Sequence, residues 1–168
     1  DVVYQGRDYR ARLSCIAMQD FRDEDNAFHL PKGREYFVAV SLSDITELNH
    51  YIRENEEQKL VSGLIYIDNY EEVMESVEEV RQSLLVALID RKINQYLAGC
   101  DGLVKKMEKD KYFFVVKKQH YREMEQDKFS ILEEAKNVNI GNALPVTLSI
   151  GIGISGDTYI QSYNHARI

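Results

Sequence analysis

No run of apolar residues approaches the ~20 that a membrane-spanning helix needs, and tryptophan is absent. Cysteine occurs twice, as Cys15 and Cys100, in no metal-ligand spacing. Two such distant thiols read as reduced, partly buried groups of a cytosolic protein. The four histidines, His29, His50, His120 and His165, form no metal-binding pattern. Positive charge is in deficit: 21 Lys and Arg stand against 28 Asp and Glu, a formal net charge of −7. Nothing in that balance neutralises a phosphate backbone, which argues against broad nucleic-acid binding. A mononucleotide carried with a divalent cation remains compatible with it.

What is present is an ordinary globular composition, 44% hydrophobic and 29% charged. The length suits one good core, or one domain plus part of another. The chain starts on Asp1 inside a strand-like run and stops at Ile168 inside a helix-like one. Both ends are therefore expected to be cuts from a longer protein.

Residues 2–5, 9–17 and 36–42 run apolar or alternate, with β-branched and aromatic side chains, and predict strands. Residues 19–34 are polar, carry Pro31 and Gly33, and predict a long hairpin loop. His29 in that loop reads as a solvated histidine rather than a haem ligand. Asp44 followed by Glu47 signals a helix start of the capping-box kind. The helix is predicted over 44–60, with Leu48, Tyr51, Ile52 and Leu60 along one side and Glu54, Glu56, Glu57 and Lys59 along the other.

From residue 61 the pattern changes. Residues 64–67 predict a core strand that ends on the carboxylate of Asp68. A carboxylate there is a common place to hold a cation beside a phosphate. A long helix is predicted over 71–97, with an apolar stripe of Val73, Val77, Val80, Leu84, Leu88 and Tyr96. Residues 103–106 and 112–116 predict a hairpin, 121–136 a second helix, and 146–153 a buried strand. The order is β-α-β-β-α-β, an α/β (α+β) ferredoxin-like arrangement shared by nucleotidyl cyclases and many polymerases.

Two resemblances follow from particular residues. The three N-terminal strands closing on Asp44-Ile-Thr46 before a charged helix resemble the C-terminal part of a PAS sensor domain. Ile67-Asp-Asn-Tyr70, the hairpin at 108–112 and Pro145-Val-Thr-Leu-Ser-Ile-Gly151 resemble, in order, the segments of a GGDEF domain, the family of the diguanylate cyclases. The implied division is a PAS-like part over 1–43, a signalling helix over 44–60 and a GGDEF domain, truncated at its C-terminal end, over 61–168.

The catalytic positions depart from that family. Glu108, Lys109, Asp110, Lys111 and Tyr112 stand where active members carry Gly-Gly-Asp/Glu-Glu-Phe. Bulky side chains replace the glycines that let backbone approach a triphosphate. Tyr66 takes the place of the first metal-binding aspartate, and it cannot replace a carboxylate on a hard cation. Met74 and Ser83 fall where the family reads guanine. The losses imply a degenerate domain without diguanylate cyclase activity.

These departures resemble the GdpP/YybT group, membrane-anchored cyclic-di-AMP phosphodiesterases of Gram-positive bacteria. That resemblance implies a regulatory module on the cytoplasmic face of the cell membrane. The implied partners are the remaining PAS half, a DHH/DHHA1 phosphodiesterase domain absent from this sequence, and a second copy of the chain. Sensor state or nucleotide occupancy would act on that domain through the helix over 44–60. The expected nucleotide-binding residues are Asp68, Asn69, Tyr70, Lys109 and Lys111. Asp68 and Asp110 are the expected ligands of Mg2+ carried with ATP or GTP. The alternative is a weak ATP or GTP hydrolase built on this remnant. The bland reading of the same residues makes Asp68 a helix cap, the lysines solvated charges and Tyr70 a core-facing ring.

Overall fold

The computed structural model describes residues 1–17, 36–154 and 159–166. The predicted loop over 19–34, with His29, Pro31 and Gly33, lies outside the described residues. The chain divides into two compact units, Asp1–Glu54 and Asn55–Ile168.

The first unit is an antiparallel sheet ordered β1-β2-β3, with β1 at Val2–Tyr4, β2 at Arg7–Ala17 and β3 at Tyr36–Asp44. Gln5 and Gly6, both at positive φ, close the first hairpin tightly. The register Ala11↔Leu42, Leu13↔Val40 and Cys15↔Val38 gathers these side chains on one face. That face is exposed, and Ile45 is the buried hydrophobic of the unit among its described residues. Helix α1, Thr46–Gln58, starts where the Asp44 carboxylate accepts from the Thr46 amide at 3.0 Å and its hydroxyl at 2.6 Å. Those bonds hold the Asp44 carboxyl below its ordinary value. No residue of α1 is buried. The helix stops short of its predicted end because Leu60 opens the next strand, paired with Lys117.

The second unit is a four-stranded antiparallel sheet ordered β5-β6-β4-β7. Its strands are β4 at Leu60–Ile67, β5 at Leu103–Lys106, β6 at Lys111–Lys117 and β7 at Leu148–Gly153. Helices α2 (Tyr70–Glu75) and α3 (Glu79–Gly99) connect β4 to β5, α4 (Lys118–Gln126) and α5 (Ile131–Lys136) connect β6 to β7, and α6 (Tyr159–Ala166) follows. This is the ferredoxin-like βαββαβ order expected for a cyclase-like fold.

Both predicted long helices are broken. Between α2 and α3 the Ser76 hydroxyl donates back to Val73 O at 2.7 Å, and Gln82 donates to Met74 O at 3.0 Å. These bonds satisfy the end of α2, and Glu78 is extended at ψ 136. The break resets the helical phase. The core ridge of α3 is therefore Leu85, Ile89, Ile93 and Leu97, while Val80 is 91% and Leu84 52% exposed. The expected stripe is corrected at Val80 and Leu84, whereas Val73 and Val77 are buried and Leu88 and Tyr96 pack, partly buried, against the core. Between α4 and α5, Lys128 and Phe129 both adopt positive φ, and the Phe129 amide closes on Met124 O at 2.8 Å.

The core of this unit joins the helices to the sheet through Ile65, Phe114, Val116, Leu85, Ile89 and Met124. Gly63 is where the sheet demands a missing side chain. A Cβ there would stand 2.3 Å from the Phe114 ring and 3.0 Å from Gly151 O.

Candidate functional site

The end of β4 and the β5–β6 turn meet at one corner of the second unit. The Ile67 amide donates to Asp110 O at 2.8 Å, and the Asp68 amide to Thr147 O at 2.9 Å. These bonds extend the sheet pairing just past β4, so Asp68 leaves the sheet beside the hairpin. A cavity of about 280 Å3 opens there, lined by Tyr66, Ile67, Asp68, Asp110 and Ser149. Asp68 and Asp110, far apart in sequence, thus face one space.

Tyr66 occupies the middle of this site because β4 is the central strand. Its cross-strand neighbours are Lys111 on β6 and Ser149 on β7. Neighbours across a sheet share a face, and the Lys111 ammonium lies 5.3 Å from the Tyr66 ring centre. Lys111 also pairs with Glu108 at 2.8 Å. Lys109 pairs with Glu71 and stands 5.5 Å from the Tyr70 ring centre. The hydrogen bond that Lys111 donates to Glu108 raises the Lys111 pKa, and the one that Lys109 donates to Glu71 raises that of Lys109, in each case against a smaller desolvation effect.

The turn itself tolerates its charged residues. The Met107 and Glu108 amides both donate to Lys111 O, and the turn has no positive-φ residue. Glu108 and Lys109 therefore sit without backbone strain where the cyclase pattern has glycines.

Asn69 is used for structure. Its Nδ2 donates to Pro145 O at 2.8 Å, and its Oδ1 accepts from the Thr147 amide at 3.0 Å. Both ends of the amide clamp the approach to β7. Tyr70 opens α2 and packs against the core cluster. Met74 is buried. Among the expected residues, the cavity gathers Asp68 and Asp110; Lys111 meets its Tyr66 wall, whereas Asn69, Tyr70 and Lys109 are not among its lining residues.

Three participants were not anticipated. Ser149 lines the cavity, and its register opposite Tyr66 was the available signal. Glu71 holds Lys109, a pairing across 38 residues that no local pattern reveals. Asp90 accepts from the Tyr112 hydroxyl and from Lys106 at 2.9 Å, anchoring the hairpin to α3. Burial, then the Asp90 bond, pushes the Tyr112 hydroxyl pKa well up. Among the described residues no group of three His, Cys, Asp or Glu is placed to hold a metal ion. Two carboxylates suit Mg2+, which commonly takes one or two protein ligands and completes its shell with water and phosphate.

A family model described as the GGDEF domain of cyclic-di-AMP phosphodiesterase GdpP-like proteins matches residues 65–167. The chain belongs to the GdpP-like GGDEF family. Cyclic-di-AMP phosphodiesterase GdpP of Geobacillus thermodenitrificans is 29% identical over 110 residues, 66% of this chain and 17% of that protein. Cyclic-di-AMP phosphodiesterase PdeA of Listeria monocytogenes is 28% identical over 159 residues, 95% of this chain and 23% of that protein. The chain thus spans about a fifth of the length of these curated relatives. In fold it is similar to the diguanylate cyclase SiaD of Pseudomonas aeruginosa, solved with its activator SiaC. The TM-score is 0.52 at 20% identity, covering 71% of this chain and 50% of that one. GdpP-like membership agrees with the residue pattern at 67–73, 110–112 and 146–151. Among the described residues, no helix of this GdpP-like chain is long and apolar enough to cross a membrane.

Proposed function

We propose that this chain is the regulatory part of a membrane-anchored cyclic-di-AMP phosphodiesterase, acting at the cytoplasmic face of the membrane. Its GGDEF domain binds a nucleotide and makes no cyclic di-GMP. The observation that carries this reading is Tyr66 between Lys111 and Ser149, where a cyclase would need a carboxylate on its metal. Phosphoryl transfer depends on metal charge and positioning, so losing a ligand at the centre of the site removes most of the catalytic advantage.

Asp68 and Asp110 are the residues that would hold Mg2+ with ATP or GTP. The bound ion would neutralise phosphate charge. The two carboxylates would fix where it sits, Lys111 stands against the Tyr66 wall of that cavity, and Tyr70 and Lys109 would meet the nucleotide outside it. Asn69 supports the site by holding the β7 approach. Because the two carboxylates share a cavity, weak ATP or GTP hydrolysis is the second reading.

The partner assignments rest on exposed faces. Leu13, Val38, Val40 and Leu42 leave one side of the first sheet apolar and open, which suits cover by the rest of a PAS domain. Leu48, Tyr51 and Ile52 form an exposed stripe on α1 that suits pairing with a second copy. The DHH/DHHA1 domain would be the regulated element, reached by way of α1.

Calorimetric titration with ATP and with GTP, each with Mg2+, tests the binding claim. Saturable binding weakened by Asp68→Asn with Asp110→Asn is expected, and no binding of either nucleotide overturns it. Phosphate release that persists unchanged in the same double variant would sink the hydrolase reading.

A further inference from the structure

A second cavity, of about 400 Å3, shares no residue with the hairpin site. One wall is α3. Leu88, Arg91, Lys92 and Gln95 recur there at spacings of three and four, which places them on one helix face. That face lies beside the core ridge of Leu85, Ile89 and Ile93. The other wall is the segment behind α5, where Asn137, Val138 and Asn139 face the space.

The second wall is built rather than loose. Arg81 donates to Ile140 O at 3.2 Å. Asn142 accepts from the Ile140 amide at 3.0 Å and donates to Val138 O and Leu144 O. Asn139 Oδ1 accepts from the Gly141 amide at 2.8 Å, at a glycine with φ +104. A side chain at Gly141 would press on Arg81 and strain the turn.

The charges are unevenly spent. Lys92 pairs with Glu134 at 2.9 Å. Arg91 makes no hydrogen bond, ion pair or ring contact with any described residue. In a chain of net charge −7, a guanidinium that finds no carboxylate keeps its planar fork free for an oxyanion. The volume lies within the range of small-molecule pockets.

We propose that this cavity binds a mononucleotide-sized phosphate monoester. Arg91 and Lys92 take the phosphate, and Leu88 with Val138 supplies the apolar surface for the base. Gln95 and Asn139 carry side-chain amides, the group that pairs best with the donor and acceptor on an adenine edge.

The test uses the full chain, 15N-labelled, titrated with AMP and in parallel with adenosine. AMP should shift the amides of 137–139 and the Arg91 Nε–H signal along a saturable curve, with adenosine clearly weaker. Arg91→Gln should weaken AMP by about tenfold, the loss of one charge-assisted contact. Arg91→Gln with Lys92→Gln should abolish the shifts while the rest of the spectrum stays folded. Asp68→Asn with Asp110→Asn should leave the AMP affinity unchanged, which separates this cavity from the hairpin site. No saturable shift at millimolar AMP overturns the proposal. So does equal affinity for adenosine, unchanged affinity in the Arg91 and Lys92 double variant, or shifts confined to 66–70 and 108–112.

Discussion

The ammonium of Lys111 stands 5.3 Å from the centre of the Tyr66 ring, directly across the β4–β6 ladder. On the proposed reading, this cation and aromatic face stand where a cyclase would hold a carboxylate and a divalent ion. Replacing the ring alone changes the ligand set without restoring the hairpin. Tyr66→Asp is predicted to strengthen Mg2+-dependent ATP binding by about tenfold, roughly what one added charge-assisted contact is worth. Calorimetry with and without Mg2+ reads this. An unchanged affinity would mean that Tyr66 does not border the cation position.

Asn69 Nδ2 and Oδ1 tie β4 to the residues before β7. Asn69→Ala removes both bonds and leaves the partly buried Thr147 amide without its acceptor. The expected loss is about 1–3 kcal/mol in urea unfolding. Asn69→Asp keeps an acceptor for Thr147 and should recover part of it. If both variants match the parent, the clamp contributes nothing.

Gly63→Ala drives a methyl into the Phe114 ring within a closed ladder. Overpacking of this kind costs typically about 1–3 kcal/mol. Combining it with Phe114→Leu should restore some of the loss, since a smaller side chain vacates the contact. A thermal midpoint unchanged in Gly63→Ala would show that Phe114 moves aside freely.

The Glu71 bond raises the pKa of Lys109 above its ordinary 10.5. A raised folded-state pKa contributes stability that is fully present below 10.5 and is lost as pH rises through the higher folded value. Glu71→Gln should lower the Lys109 midpoint toward 10.5 and flatten the alkaline part of the stability profile. Titration of the Lys109 side chain by NMR reads this. An identical midpoint in the variant would remove the pairing from solution.

The sheet and its order were legible because β-branched and aromatic runs alternate over 64–67, 112–116 and 146–153. The helix breaks were not. Nothing near Ser76 resembles a breaker, and α2 ends through side-chain bonds from Ser76 and Gln82 to its last carbonyls. Lys128 and Phe129 take positive φ without a glycine, because the α4 end closes on Met124 O. Leu60 fitted the helical stripe of α1, yet pairing with Lys117 claims it for the sheet. At the site, Asp68 and Asp110 were legible as carboxylates at a strand end and a turn. The roles of Asn69, Glu71 and Asp90 were hidden, since each depends on a partner 16 to 78 residues away.

The most direct measurement of the central claim is product formation. Purified chain is incubated with GTP and Mg2+, and cyclic di-GMP is quantified by chromatography and mass spectrometry. The account predicts none above a protein-free control, in the parent and in Tyr66→Asp alike, because Glu108 and Lys109 still occupy the turn. Cyclic di-GMP made by the parent and abolished by Asp110→Asn would contradict it.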